Sequence, residues 1–291
     1  MKLSGVFVLL IIAAAGLPSY SLVITQGKRS FAVFDNMSYR GRPDTTRDGL
    51  VRSNIVYEGS IWPHDKNYGV LPSRAAFDAV VRAHMANPGP LVLDIERLQL
   101  KGSPEIVHQH LKVLATLADW ARAAAPEKLV GYYGSGTLTR VPPQNIPAAR
   151  ELARHVDAFF PPMYTFDDDR QAWAKRAHAE AAEDRALASD TPVFFYLWPQ
   201  YHDGTPKQFR YVDAAFWKFQ LHTARRDAEG IVLWSPSRFN WDDTSRWWAA
   251  RRSSCGRSRP DSIRQKVPSG SLNQPRSVLH TQAALDLRAV Q

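Results

Sequence analysis

Pro90-Leu91-Val92-Leu93-Asp94-Ile95-Glu96 is the stretch on which the fold turns. Its first four residues are all apolar, so neither face is prepared for water, and the segment reads as a strand covered on both sides. It then stops in two acids at positions i and i+2. Side chains alternate along a strand, so Asp94 and Glu96 point to one face, roughly 6–7 Å apart along the chain.

The same pattern extends outward in both directions. Short apolar or β-branched runs at 31–36, 54–62, 90–96, 129–135, 157–164, 191–199 and 230–236 predict seven strands. Between them, helical periodicity predicts helices over 73–86, 104–124, 169–188 and 208–226. Ser73 and Ser103 stand where helix N-caps belong, and Pro104 fits a first helical position. Doubly apolar strands alternating with helices imply a parallel α/β sheet. Seven or eight such units, with no Gly-rich phosphate loop after any strand, predict a TIM-like (β/α)7–8 barrel over 22–252 rather than an open doubly wound sheet.

The flanks differ from this body. Lys2 precedes an apolar run from Val6 to Leu17, with small residues at Ser19 and Ser21, which predicts a secretory signal peptide over 1–21. That run is too short to span a membrane. Residues 253–291 are rich in Ser, Arg, Gln and Pro and hold no aromatic, so they predict a disordered tail. The chain carries +9 overall, yet from Arg251 onward eight bases face two acids, leaving +3 for the first 250 residues. A basic tail on a near-neutral body argues against a nucleic-acid groove. Cys255 is the one cysteine among 291 residues, so no internal disulfide exists and the fold must rest on packing.

In a barrel of this kind chemistry sits at the carboxyl ends of the strands. Two carboxylates on one face of a low-dielectric mouth repel, which raises the pKa of one and keeps its proton available near neutrality. Set against this, a D-x-E pair is often only a cap and a surface ion pair. The other strand ends decide between them. They hold Asp35 and Asn36, Trp62, Tyr132 and Tyr133, Tyr164, Tyr196 and Trp198, and Trp234. Each aromatic alone fits core packing, but together they suit sugar rings, which present apolar faces and polar rims. His108 and His110 face different sides of a helix, Asp167-Asp168-Asp169 fits a helix cap, and Ser135 lacks a nucleophile-elbow context. No metal or cofactor is implied.

In order along the chain, the motifs Phe31-Ala32-Val33-Phe34-Asp35-Asn36, Tyr57 to Pro63, Tyr68-Gly69-Val70-Leu71-Pro72, Leu91 to Glu96, Gly131-Tyr132-Tyr133, Pro161-Pro162-Met163-Tyr164, Pro192 to Tyr196 and Gly230 to Ser235 resemble the hyaluronidase family of barrel glycosidases. The resemblance implies a substrate-assisted retaining mechanism, in which the 2-acetamido group of an N-acetylhexosamine attacks its own anomeric carbon. It makes Glu96 the general acid and then the base, and gives Asp94 the acetamido group to orient. It has Tyr164 and one of Tyr132 or Tyr133 bond the acetamido oxygen, and Trp234 wall the sugar subsite. The chain departs from the family in having Ile95 between the acids, in lacking its disulfide cysteines and in being shorter. Barrel chitinases and muramidases share the acid-pair logic and also act on N-acetylated amino sugars. The expectation is therefore a secreted or periplasmic monomeric enzyme acting on a polysaccharide or oligosaccharide, with no nucleic-acid partner and no membrane span once the leader is cut. A glycan-binding barrel without turnover is the competing reading.

Overall fold

A computed structural model describes residues 31–63, 68–134, 140–242 and 244–255. The expected leader and the tail beyond Cys255 lie outside the described residues, as does Ser135. In chain order the strands are β1 (Ala32–Met37), β2 (Val51–Arg52), β3 (Asn54–Tyr57), β4 (Leu91–Asp94), β5 (Val130–Tyr132), β6 (Phe194–Leu197) and β7 (Gly230–Ser235). The helices are α1 (Glu58–Ile61), α2 (Arg74–His84), α3 (Pro104–Ala124), α4 (Ile146–Ala153), α5 (Arg170–Leu187), α6 (Ala214–Asp227) and α7 (Arg246–Cys255). Among the described residues no helix is long and apolar enough to cross a membrane.

All strand pairings are parallel, in two sheets ordered β2-β1-β7-β6 and β3-β4-β5. The expected α/β class is present, but hydrogen bonding does not run as one continuous ring. The reason lies in two segments. At 157–164, where a strand was expected, Pro161 and Pro162 offer no N–H, so the ladder is reduced to isolated bridges. Those bridges link Phe160 to Tyr133 after β5, and Phe159 and Pro162 to Val193 and Tyr196. On the other side β2 and β3 are separated by Ser53 alone; Ser53 N–H donates to Asp35 on β1 and Asn54 N–H to Pro90 before β4.

The expected strand at 54–62 ends at Tyr57, where polar Glu58-Gly59-Ser60 turns into α1. Helix α6 begins six residues later than expected. Phe209 adopts φ 65°, outside the helical region, and the Asp213 carboxylate caps the Ala215 and Phe216 amides. Ser73, Ser103 and Asp169 cap α2, α3 and α5 in the same way, each accepting from an amide three residues on. Helix α4 was not foreseen, and α7 carries the backbone three residues into the expected tail.

Alternate residues of β1, β3, β4, β6 and β7 go to different cores. Val33, Met37, Val56, Leu91, Leu93, Val130, Tyr132, Phe195, Leu197, Ile231 and Leu233 face helices and pack with residues such as Leu114, Leu117, Trp173 and Phe216. Their neighbours Phe34, Ile55, Val92, Phe160, Phe194, Tyr196 and Val232 form a second cluster that contains no helical residue. Two glycines make that second cluster possible. A Cβ on Gly131 would sit 2.1 Å from the Ala158 carbonyl and 2.8 Å from the Phe160 ring, and one on Gly230 would sit 2.3 Å from the Ala32 carbonyl. Their bareness leaves room for Phe160 and Phe194 to stack at 5.6 Å.

Candidate active site

The strand-only cluster turns polar at the carboxyl ends of its strands. Register places Tyr57 beside Asp94, and Asn36 beside Trp234. The Trp234 indole lies near the Tyr57 hydroxyl and partly offsets the rise that burial gives it, as an N–H donor does. Asn36 donates to the Tyr196 hydroxyl at 3.3 Å, and the Tyr133 and Tyr164 hydroxyls share a bond of 3.2 Å. The Tyr164 ring lies 5.6 Å from Trp234, and Trp198 meets Trp234 edge to face at 5.2 Å. The site thus has a tyrosine floor, a tryptophan wall and an acid pair.

Asp94 closes β4 half-buried, while Glu96 lies past the strand end and is exposed. Burial first, and then the charge and hydrogen bond of Glu96, push the Asp94 carboxyl up to about 7. The raised group is the more buried acid, since burial penalises its charged form. Asp94 is therefore still about half protonated at pH 7, with the Glu96 carboxyl hydrogen-bonded beside it. Burial also pushes the hydroxyls of Tyr133, Tyr164 and Tyr196 up, with the negative field of Asp94 adding to each. They are therefore neutral hydrogen-bond donors facing the acids.

Three residues singled out from sequence stand elsewhere. Asp35 points to the helix-facing side of β1, where Arg42 pairs with it at 2.6 Å and Thr45 and the Met37 amide also bond it. It anchors the loop after β1. Tyr132 is buried against α3 and donates to the Leu114 carbonyl at 2.7 Å, so of the two adjacent tyrosines Tyr133 reaches the acids. Trp62 donates to the Val70 carbonyl and packs on Tyr68 at 5.4 Å, in the helix-facing core. Glu96, Asp94, Tyr164, Tyr133, Tyr196, Asn36, Trp198 and Trp234 are brought together.

Tyr57 joins them although sequence reasoning did not select it for the site. It is 45% exposed, and its place in an alternation with Ile55 was the available signal. Gln200 is a second omission: its amide oxygen accepts from Trp198 at 3.0 Å and from Tyr39 at 2.7 Å, fixing the indole that walls the site. Asp169 caps α5, and Asp168 bonds Tyr201 and Lys207. Among the described residues no cluster of three or more His, Cys, Asp or Glu is placed to hold a metal.

The fold is a hyaluronidase-like α/β architecture. Solved structures show the likeness directly: bee venom hyaluronidase matches with a TM-score of 0.55 at 13% identity, covering 71% of this chain and 91% of that one. The bee enzyme in complex with a hyaluronic acid tetramer matches at 0.54 and 15% identity, with the same coverage. A class V chitinase from Pseudomonas fluorescens matches less well, with a TM-score of 0.44 at 13% identity over 73% of this chain and 83% of that one. No protein-family model and no curated protein sequence matches the chain. At these identities what this chain shares with bee venom hyaluronidase is the fold.

Proposed function

We propose that the protein is an exported glycoside hydrolase that cleaves a polysaccharide containing N-acetylhexosamine by a substrate-assisted, retaining mechanism. The observation that carries this reading is the Asp94–Glu96 pair, whose proton is held up to about pH 7 beside the Tyr133, Tyr164 and Trp234 rings. The reading includes a closed barrel, with 51–57 and 159–162 as the strands that join the two sheets. A cluster that takes residues from β1, β3, β4, β6 and β7 and from 158–164, with none from a helix, supports that closure. It also includes a removable leader over 1–21 and a catalytic body over 22–252.

In the first step the acetamido oxygen attacks the anomeric carbon and the glycosidic C–O bond breaks. Glu96 delivers its proton to the departing oxygen. With the one proton of the pair spent on the leaving oxygen, Asp94 is ionised and accepts the acetamido N–H, stabilising the charge on the ring that forms, while Glu96 is left as a carboxylate. Tyr133 and Tyr164 offer neutral hydroxyls to the acetamido oxygen, and Trp234 walls the sugar. Water then opens the intermediate with Glu96 as base, and no enzyme carboxylate acts as nucleophile, so the separation rule for retaining pairs does not bear on the site.

The test is reducing-end release by the purified protein, wild type beside Glu96→Gln, on hyaluronan, chondroitin, chitin oligomers and peptidoglycan. Loss of a positioned general acid lowers the rate by roughly 10²–10⁴-fold. Release by the wild type and not by the variant supports the proposal; silence of the folded wild type on all four substrates removes it.

A further inference from the structure

Glu96 stands two residues past the end of β4, exposed, where no ladder fixes it. General acid catalysis depends on holding such a group in place, so something other than the sheet must do so. Two contacts grip the peptide on either side of its side chain. The Arg97 amide donates to the Glu58 carboxylate at 3.3 Å, and the Arg97 guanidinium pairs with the same carboxylate. That guanidinium is braced in turn, lying 4.9 Å over the Tyr68 ring and 3.2 Å from its hydroxyl. On the other side the Gln99 amide donates to the Glu96 carbonyl at 3.0 Å, while the Gln99 carbonyl bonds His110 of α3 at 2.7 Å.

Glu58 is well placed for the first contact. It opens α1 immediately after Tyr57, whose register partner is Asp94, so one short turn lines up the clamp with the acid pair. We propose that Glu58 is a positioning residue for Glu96: it fixes the 96–97 peptide from the neighbouring strand end and so holds the Glu96 carboxyl against Asp94. The role rests on the reading of Glu96 as the general acid, but its geometric consequence does not need turnover to be seen.

The experiment compares wild type, Glu58→Gln, Glu58→Asp and Glu58→Ala in the full chain, by kcat and KM on the substrate cleaved and by carbon NMR titration of the Asp94 carboxyl. Glu58→Gln keeps an acceptor for the Arg97 amide at full reach, so it retains kcat within about threefold. Glu58→Ala removes the clamp and lowers kcat by about ten- to a hundredfold with KM little changed, since a loosened acid weakens the transition state and not substrate binding. Its Asp94 midpoint falls below that of the wild type, because Glu96 no longer presses its charge on Asp94. Glu58→Asp, one methylene short, shows the same two changes at smaller size and carries the test if the alanine variant folds poorly. Wild-type kcat together with an unmoved Asp94 midpoint in both Glu58→Ala and Glu58→Asp overturns the proposal. So does Glu58→Gln as impaired as Glu58→Ala, which makes charge and not position the cause. A wild type silent on every polymer, with the midpoint still falling in Glu58→Ala, leaves the clamp standing and removes the glycosidase reading.

Discussion

Asp35 and Asp94 are both acids near the end of a parallel strand, and the two faces of the sheet give them opposite work. Asp35 turns toward the helices, where Arg42 and Thr45 satisfy it. Asp94 turns toward the strand-only cluster, where its close partner is another carboxyl and burial holds its proton to about pH 7. Tyr132 and Tyr133 repeat the contrast one residue apart, the first bonded to the α3 backbone and the second to Tyr164. At these positions the helix-facing side satisfies the polar group, whereas the other side leaves Asp94 and Glu96 apposed. Stability and activity should therefore separate by face.

The largest effect that tests this separation is on stability. Asp35→Ala leaves the Arg42 guanidinium, largely covered by protein, without its carboxylate, and should cost about 3–5 kcal/mol in urea unfolding while the folded fraction keeps its specific activity. Next is Tyr133→Phe, which removes a donor facing the acids. It should lower kcat/KM by about ten- to a hundredfold, roughly 1.4–2.8 kcal/mol, with a smaller change in unfolding midpoint.

The pH dependence of Asp94 gives a third test. Its carboxyl titrates near 3.8 when unfolded and near 7 when folded, so across that window the folded protein binds the extra proton. Its contribution therefore lowers stability as pH rises from about 4 to about 7. Asp94→Asn should stabilise the protein by about 1–2 kcal/mol more at pH 8 than at pH 4, and wild-type turnover should decline above about pH 7 as the pair loses its proton. The smallest effect is that of Tyr132→Phe, which deprives the Leu114 carbonyl of a donor at about 1 kcal/mol and leaves kcat/KM unchanged.

The sequence made the strands, the parallel class and the D-x-E pair legible because an apolar run ending in acids has few physical readings. It could not reveal the phase of each strand. Where both faces are apolar, alternation says which residues share a face but not which face meets the helices, and a shift of one residue exchanges them. Asp35 and Tyr132, which the sequence places among the strand-end residues of the site, stand on the helix-facing side. Arg42, which settles the fate of Asp35, sits in an irregular loop with no periodicity to place it. Tyr57 was passed over because it stands before a polar turn that the 54–62 run concealed. The segment at 157–164 has the composition of a strand, but its two prolines withhold the donors that would pair it along its length.

The most direct test of the account is to measure turnover and thermal unfolding of Asp94→Asn and Asp35→Asn side by side at pH 8. The account predicts that Asp94→Asn is folded, at least as stable as the wild type and slower by about a hundredfold or more, whereas Asp35→Asn unfolds at lower temperature and turns over normally per folded molecule. An Asp94→Asn variant with wild-type turnover, or an Asp35→Asn variant that is stable but inactive, would contradict it.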